Sequence, residues 1–558
     1  MSRRLLLSLL ILLLTACTTA PAALPPLPTL ATFPTPAPTA SPSPAHLTPT
    51  SPPPLATPSP TPFTPQPGVY LAPYLPAAFT TAFKLPSGWQ TAAPEQASVQ
   101  IGINPHAALS QWVYALAAPF PTLVDEVTFE DLRGLWEGAP PESLVGISLA
   151  TDAGTAEAFG ILWGAAAPGS VRILPPQDLL QTSWDSGSQW ALIPFESIEP
   201  RWKILRVDGQ SPLQKTFNPQ TYPLILPIGI LAQAQPLTDF LQAEPILPLS
   251  NRDPQKLTVV ALTGVTALVR ATAFVMERKG TLYPGQDVRA ILRAADIAHV
   301  SNEIPFTPNC PFPNPDQSTL VFCSDPKYLA LLQDIGTDVI ELSGDHFNDW
   351  GADAMRYTLN LYDENNLPYY GGGYTESDAK KPLLLEHNGN KLAFLGCNGK
   401  GGGYATARGE NPGAVACDFD YLTAEIARLR AEGYLPIMTF QHFEYYTYAA
   451  QPKQIEDFQR VAAAGAVVVS GSQAHQPQAF EFHGGALIHY GLGNLFFDQY
   501  FMGTPTAQGF IDQHIFYDGR YLGLDSVGIW FVDFARPRLM TPAERRDLLQ
   551  SVFEASGW

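Results

Sequence analysis

Between Leu5 and Phe83 the chain has no Asp, Glu, Lys or Arg, and 18 of its 56 prolines fall between Thr18 and Gly68. A stretch with no charge and so few backbone donors cannot build a solvated, hydrogen-bonded domain. Basic residues are scarce elsewhere too: 32 Lys and Arg stand against 51 Asp and Glu, a formal net charge of −19. A nucleic-acid surface needs clustered Lys and Arg to release counterions, so nucleic acid is not an expected partner. No apolar run reaches about 18 residues without proline or charge, which excludes an obvious membrane-spanning helix. Only five cysteines occur, with no Cys-x-x-Cys pair, and a zinc ribbon is thereby disfavoured.

The amino terminus has two arginines, Arg3 and Arg4, followed by the ten-residue apolar run Leu5 to Leu14. Ten residues are too few to span a bilayer as a helix but suit a signal-peptide core. Leu14-Thr15-Ala16-Cys17 resembles the lipobox of bacterial lipoproteins. That resemblance implies removal of a leader, lipidation of Cys17 and an extracytoplasmic protein held at the membrane by its lipid. Residues 18–68, rich in Pro, Thr, Ser and Ala, read as a disordered, semi-rigid spacer.

The remaining cysteines are Cys310, Cys323, Cys397 and Cys417. Two disulfides allow three connectivities, and the close spacings favour Cys310 with Cys323 and Cys397 with Cys417.

Residues 69–250 mix short strand patterns, Ala97 to Ile103 and Leu144 to Ala150, with a helix from Thr128 to Trp136 capped by Thr128. The segments Val127 to Gly138, Trp190 to Phe195, Leu205 to Gly209 and Tyr222 to Leu224 look like part of a periplasmic solute-binding protein of the phosphate-binding type. The resemblance implies a smaller α/β domain with a cleft for a small anion or a polymer end. The plainer alternative is a spacer or docking surface.

From Lys256 onward strands alternate with helices, an α/β pattern. Strands are expected at Leu257 to Leu262, Ile297 to Val300, Asp338 to Leu342, Leu392 to Leu395, Pro436 to Phe440 and Val467 to Ser470. Helices are expected at Asp287 to Ala294, Pro326 to Leu332, Ala352 to Tyr362, Leu422 to Glu432 and Ile455 to Ala463, with a last one capped by Thr541. Ligand sites in such folds lie at the carboxyl ends of strands. Three strands each deliver a histidine there: His346, His442 and His475. Convergence with Asp345, Asp349 or Glu444 would give an imidazole and carboxylate site suited to zinc, manganese or iron.

These segments carry a resemblance. Gly264 to Arg270, Ser301-Asn302-Glu303, Gly344 to Gly351, His442 to Tyr445, Gly471 to His475 and Gly491 to Asp498 follow, in order, the motifs of the CapA family of capsule or poly-gamma-glutamate biosynthesis proteins. The resemblance covers Lys256 to Gln499. It implies a layered α/β sandwich of the metallophosphoesterase type over residues 251–558, after the smaller solute-binding-like α/β domain. It also implies a metal set of Asp345, His346, His442 and His475, catalytic roles for Glu303, His346 and Glu444, and substrate contacts from Arg270, Asn302 and Asn494. Val265 stands where the family has an acidic ligand, and Ser472 and Gln473 stand where it has histidines. A two-metal clamp needs ligands on each ion, so at least one ion is expected to be lost, and complete absence of the divalent metal (Mn, Zn or Fe) is the alternative. Two functions remain: a metal-dependent hydrolase or transferase acting on a capsule or envelope polymer, or a non-catalytic polymer-binding or scaffolding protein with a degraded site. The glycine-rich Gly371 to Gly373 and Gly399 to Gly403 lack P-loop spacing and read as loops over the site.

Overall fold

The computed structural model describes residues 66–558 except 234–236, 243–246, 401–402, 404 and 500–502. The expected signal peptide 1–17, the lipidation site Cys17 and all of the spacer before residue 66 lie outside the described residues. Gly68 already opens a strand, Gly68–Leu71.

Residues 68–233 build a ten-stranded mixed sheet around the twelve-residue strand Ala108–Pro119, which pairs antiparallel with Ile225–Gln233, Gln189–Pro194 and Trp202–Val207. The helix Phe129–Trp136 starts where the sequence places it, because Thr128 and Asp131 satisfy each other's backbone donors in a capping box. The expected strand at Leu144 begins later, at Ser148. Glu142–Leu144 is a single 3-10 turn, and Gly146 has φ +93°, a left-handed turn that breaks the extended run.

Residues 257–539 form two further large sheets. One is ordered Tyr369–Tyr370, Val339–Glu341, Ile297–Asn302, Leu257–Thr263, Gln508–Tyr517, Arg520–Val532 and Arg536–Leu539. The other runs Leu383–His387, Asn390–Asn398, Leu435–Gln441, Val468–Gly471, Ala486–His489 and Phe480–His483. Period-two alternation decides how they pack. Val260, Leu262, Val339, Leu392, Phe394, Ile437 and Val468 share one core between the sheets. Their neighbours Ala261, Ile340 and Leu342 turn outward onto Met276, Leu292, Leu332 and Leu359 of one helical layer. Ala393, Leu395, Met438 and Val469 turn onto Leu422, Ile426, Phe458 and Val461 of another. Strands buried on both faces read as continuous apolar runs, and the result is a layered α/β sandwich, helix upon sheet upon sheet upon helix.

Disulfides join Cys310 to Cys323 and Cys397 to Cys417. The second ties down the end of Asn390–Asn398, one residue before Asn398. The closing helix Pro542–Ala555 has Pro542 at its first position and a Thr541–Glu544 capping box. No helix among the described residues is long and apolar enough to cross a membrane.

Candidate functional site

Five parallel strands drawn from the two large sheets end at one edge. Ile297–Asn302 delivers Glu303, Val339–Glu341 delivers Asp345 and His346, and Asn390–Asn398 delivers Lys400. Leu435–Gln441 delivers His442, and Val468–Gly471 delivers Gln473 and His475. The strand ends approach so closely that Gly344 has no room for a side chain: a Cβ there would sit 2.5 Å from the Glu303 carbonyl oxygen.

Ligand-capable atoms of Glu303, Asp345 and His346 lie within 4.8 Å of one another. Glu303 is 1% exposed, and its Oε2 has no protein partner. Its Oε1 accepts from Gln473 Nε2 at 3.2 Å, and the same amide donates to Asp345 Oδ1 at 3.2 Å. Asp345 Oδ2 accepts from the Lys400 ammonium, which also reaches Glu444 Oε1 at 3.2 Å. Burial, reinforced by the Asp345 charge, pushes the Glu303 carboxyl up to about 8. Burial acts on Asp345 in the same sense, but Lys400 and His346 outweigh it and hold that carboxyl below its ordinary value. The pair therefore keeps one proton at neutral pH, on Glu303. His346 faces Asp349, its Nδ1 lying 2.7 Å from Asp349 Oδ2. Burial alone would lower the imidazole, but this bond and the charges of Glu303 and Asp345 raise it to about 9.

The other expected ligands are placed differently. His442 Nε2 lies 2.9 Å from Asp457 Oδ2 on the helix Pro452–Ala463, its Nδ1 is buried without a protein partner, and burial lowers its pKa. His475 Nδ1 lies 2.9 Å from Asn494 Oδ1, and the residue takes a left-handed φ of +54°. Burial lowers its pKa as well. Neither histidine belongs to the three-residue grouping. Glu444 lies in a loop, where Lys400 holds it and Tyr446 OH donates to it at 3.0 Å. Asn302 is fully buried, its amide nitrogen donating to the Ile304 carbonyl at 2.7 Å and its Oδ1 without a protein partner. Arg270 donates from Nε to Asp498 Oδ1 at 3.1 Å and lies over the rings of Phe322 and Phe497, about 5 Å from each.

Three features escaped the sequence. Lys400 lies in a glycine-rich loop with no recognisable spacing, although it follows a strand end as the histidines do. Asp457 sits fifteen residues from its partner His442. Gln473 was legible as a missing histidine but not as an amide clamped between two carboxylates.

The grouping fits one divalent ion and not two. For one ion there are two carboxylates, an imidazole backed by a carboxylate in the manner of a metal-binding histidine, and an unsatisfied buried oxygen on Glu303. For a second, Val265 is buried among Ala267, Val269, Ile304, Phe322 and Phe497 and offers no ligand atom. The hydroxyl of Ser472 lies 3.2 Å from that of Ser301, and Lys400 is already seated on Asp345 and Glu444. A cavity of about 210 Å³ lies elsewhere, lined by Phe120, Lys203, Leu213, Phe480, Arg545 and Phe553 among others. None of the residues expected from the sequence to form the site lines it.

Comparison with known proteins bears on this region. The family described as "Bacterial capsule synthesis protein PGA_cap" matches residues 259–499. The "Capsule biosynthesis protein CapA" of Bacillus anthracis is 26% identical over 292 residues, 51% of this chain and 70% of that protein. The "PGA biosynthesis protein CapA" of Bacillus subtilis (strain 168) is 27% identical over 226 residues, 40% of this chain and 59% of that protein. Among solved structures, a 5'-nucleotidase precursor from Thermus thermophilus aligns with a TM-score of 0.30 and 10% identity, over 54% of this chain and 58% of that one. The match over 259–499 spans all five strand ends that form the site, so the part of the chain that carries the site is similar to the CapA proteins of capsule and poly-gamma-glutamate synthesis.

Proposed function

We propose that the protein acts in the synthesis or processing of a capsule or poly-gamma-glutamate polymer at the cell envelope, as a hydrolase or transferase at an amide or phosphoester bond. The observation that supports catalysis is the grouping of Glu303, Asp345 and His346 around an unpartnered, buried Glu303 oxygen. A divalent ion held there would polarise a carbonyl or phosphoryl oxygen as a Lewis acid. His346, oriented by its Asp349 partner, would help hold that ion through its imidazole, neutral at the ligating nitrogen. Lipidation at Cys17 would hold the protein outside the membrane, with residues 18–68 as its tether and the sheet of residues 68–233 as a solute-binding-like domain for a polymer end or small anion.

A second reading is a binding or scaffolding protein with a degraded site. It is favoured by the Lys400 and Gln473 contacts, which satisfy three carboxylate oxygens without any ion. Turnover separates the two. With manganese present, the full chain is expected to hydrolyse bis(p-nitrophenyl) phosphate or γ-glutamyl-p-nitroanilide, and His346→Ala is expected to slow it by at least about 10–100-fold. Equal rates for both proteins, or none above buffer, would favour the binding reading.

A further inference from the structure

We propose that the Lys400 ammonium is a resident cation that takes the place of one metal ion, so that this chain works with a single divalent ion and a lysine. The inference rests on the one-ion reading of the site and deepens it.

The lysine is built into the centre. Gly399 N–H donates to the Gln441 carbonyl at 2.7 Å, which stitches the residue before Lys400 to the strand that delivers His442. Lys400 N–H donates to Asn398 Oδ1 at 3.0 Å, and the Asn398 amide donates to the Ser343 carbonyl at 3.0 Å, on the loop that delivers Asp345. Cys397, next in the chain, is fixed by its disulfide to Cys417. At Gly399 a Cβ would lie 2.5 Å from His442 Cδ2, so the chain passes against that ring and glycine fits there. The main chain thus launches Lys400 from a fixed point toward Asp345 and Glu444.

The ammonium binds two carboxylates from different loops, as a bridging cation does, and the Lys400 side chain is 27% exposed, at the rim of the site. A lysine is a compact point charge. It supplies one positive charge and hydrogen bonds, but no vacant coordination position. It can neutralise Asp345 and Glu444, and on their release it can meet an anionic oxygen of a polymer substrate. It cannot coexist with an ion that uses Asp345 Oδ2 and Glu444 as ligands.

The test is manganese binding to the metal-free full chain by calorimetry, for the wild type, Lys400→Met and Lys400→Arg, with thermal unfolding as the check on folding. The expected result is one manganese per wild-type chain and a second in Lys400→Met, or at least tenfold tighter binding of the first, with Lys400→Arg like the wild type. One ion in all three proteins at equal affinity would overturn the lysine proposal and leave the one-ion reading standing. No ion in the wild type but one in Lys400→Met would overturn both the one-ion reading and the proposal that a lysine and one ion work together, since the wild type would then carry the lysine alone. No ion in any of the three overturns both. Lys400→Met that is less stable without manganese and restored by it also supports the proposal, because Asp345 and Glu444 then need a cation from solution.

Discussion

Arg270→Met is expected to destabilise the protein by about 3–5 kcal/mol, the cost of breaking a buried ion pair by removing one partner. The Arg270 and Asp498 side chains are 8% and 6% exposed. Besides Arg270, Asp498 accepts the Ala271 N–H at 2.8 Å. Burial pushes its carboxyl upward against the pull of Arg270. Without the guanidinium, Asp498 must either bury an uncompensated charge or take up a proton, so the loss should deepen as pH rises above the ordinary carboxylate range. Arg270→Met combined with Asp498→Leu should recover much of it, since an apolar pair of similar volume is often as stable as the ion pair. Denaturant unfolding of the three variants measures this. A loss below about 1 kcal/mol for Arg270→Met would return Arg270 to the role the family resemblance implies, a group waiting for substrate.

In chelator, Glu303→Gln is expected to be more stable than the wild type at alkaline pH, by on the order of 3 kcal/mol near pH 9. The folded Glu303 carboxyl is raised from an ordinary 4.5 to about 8. The native state therefore keeps a proton that the unfolded chain has released. The stability this contributes is complete below pH 4.5 and disappears as pH rises through 8. His346 acts in the same sense, being raised from 6.5 to about 9, so its contribution is complete below pH 6.5 and gone above 9. Asp345, held below its ordinary value, works in the opposite direction and loses its contribution only in acid. Wild-type stability should thus decline between about pH 5 and 9, and the glutamine variant should retain only the shallower, later decline due to His346. Parallel pH profiles for the two proteins would mean that Glu303 does not hold the proton.

Most strands and helices of residues 257–463, though not the helix Arg270–Lys279 or the strand Leu383–His387, were legible because their apolar runs are bounded by polar turns, and strand ends in such a fold face one edge. Asp345 and His346 could be named for that reason, and Glu303 through the family resemblance. The caps at Thr128 and Thr541 and the two disulfides were legible because their partners are close in sequence. What stayed hidden depends on distant pairing. Gln508–Tyr517 lies beside Leu257–Thr263, some 250 residues earlier, and no local pattern announces that neighbour. Asp457 turns toward His442 only because the helix Pro452–Ala463 packs where it does. Lys400 looks like any lysine in a glycine loop until the neighbouring strand carries it to Asp345.

The central claim is a one-ion centre on Glu303, Asp345 and His346, and its most direct test is the transition-metal content of the full chain. The protein should be purified without chelator or affinity histidines and incubated with manganese and zinc. The expected result is about one equivalent in the wild type and less than about a tenth in His346→Ala. Less than about a tenth of an equivalent in the wild type, two equivalents, or unchanged loading in His346→Ala would contradict the claim.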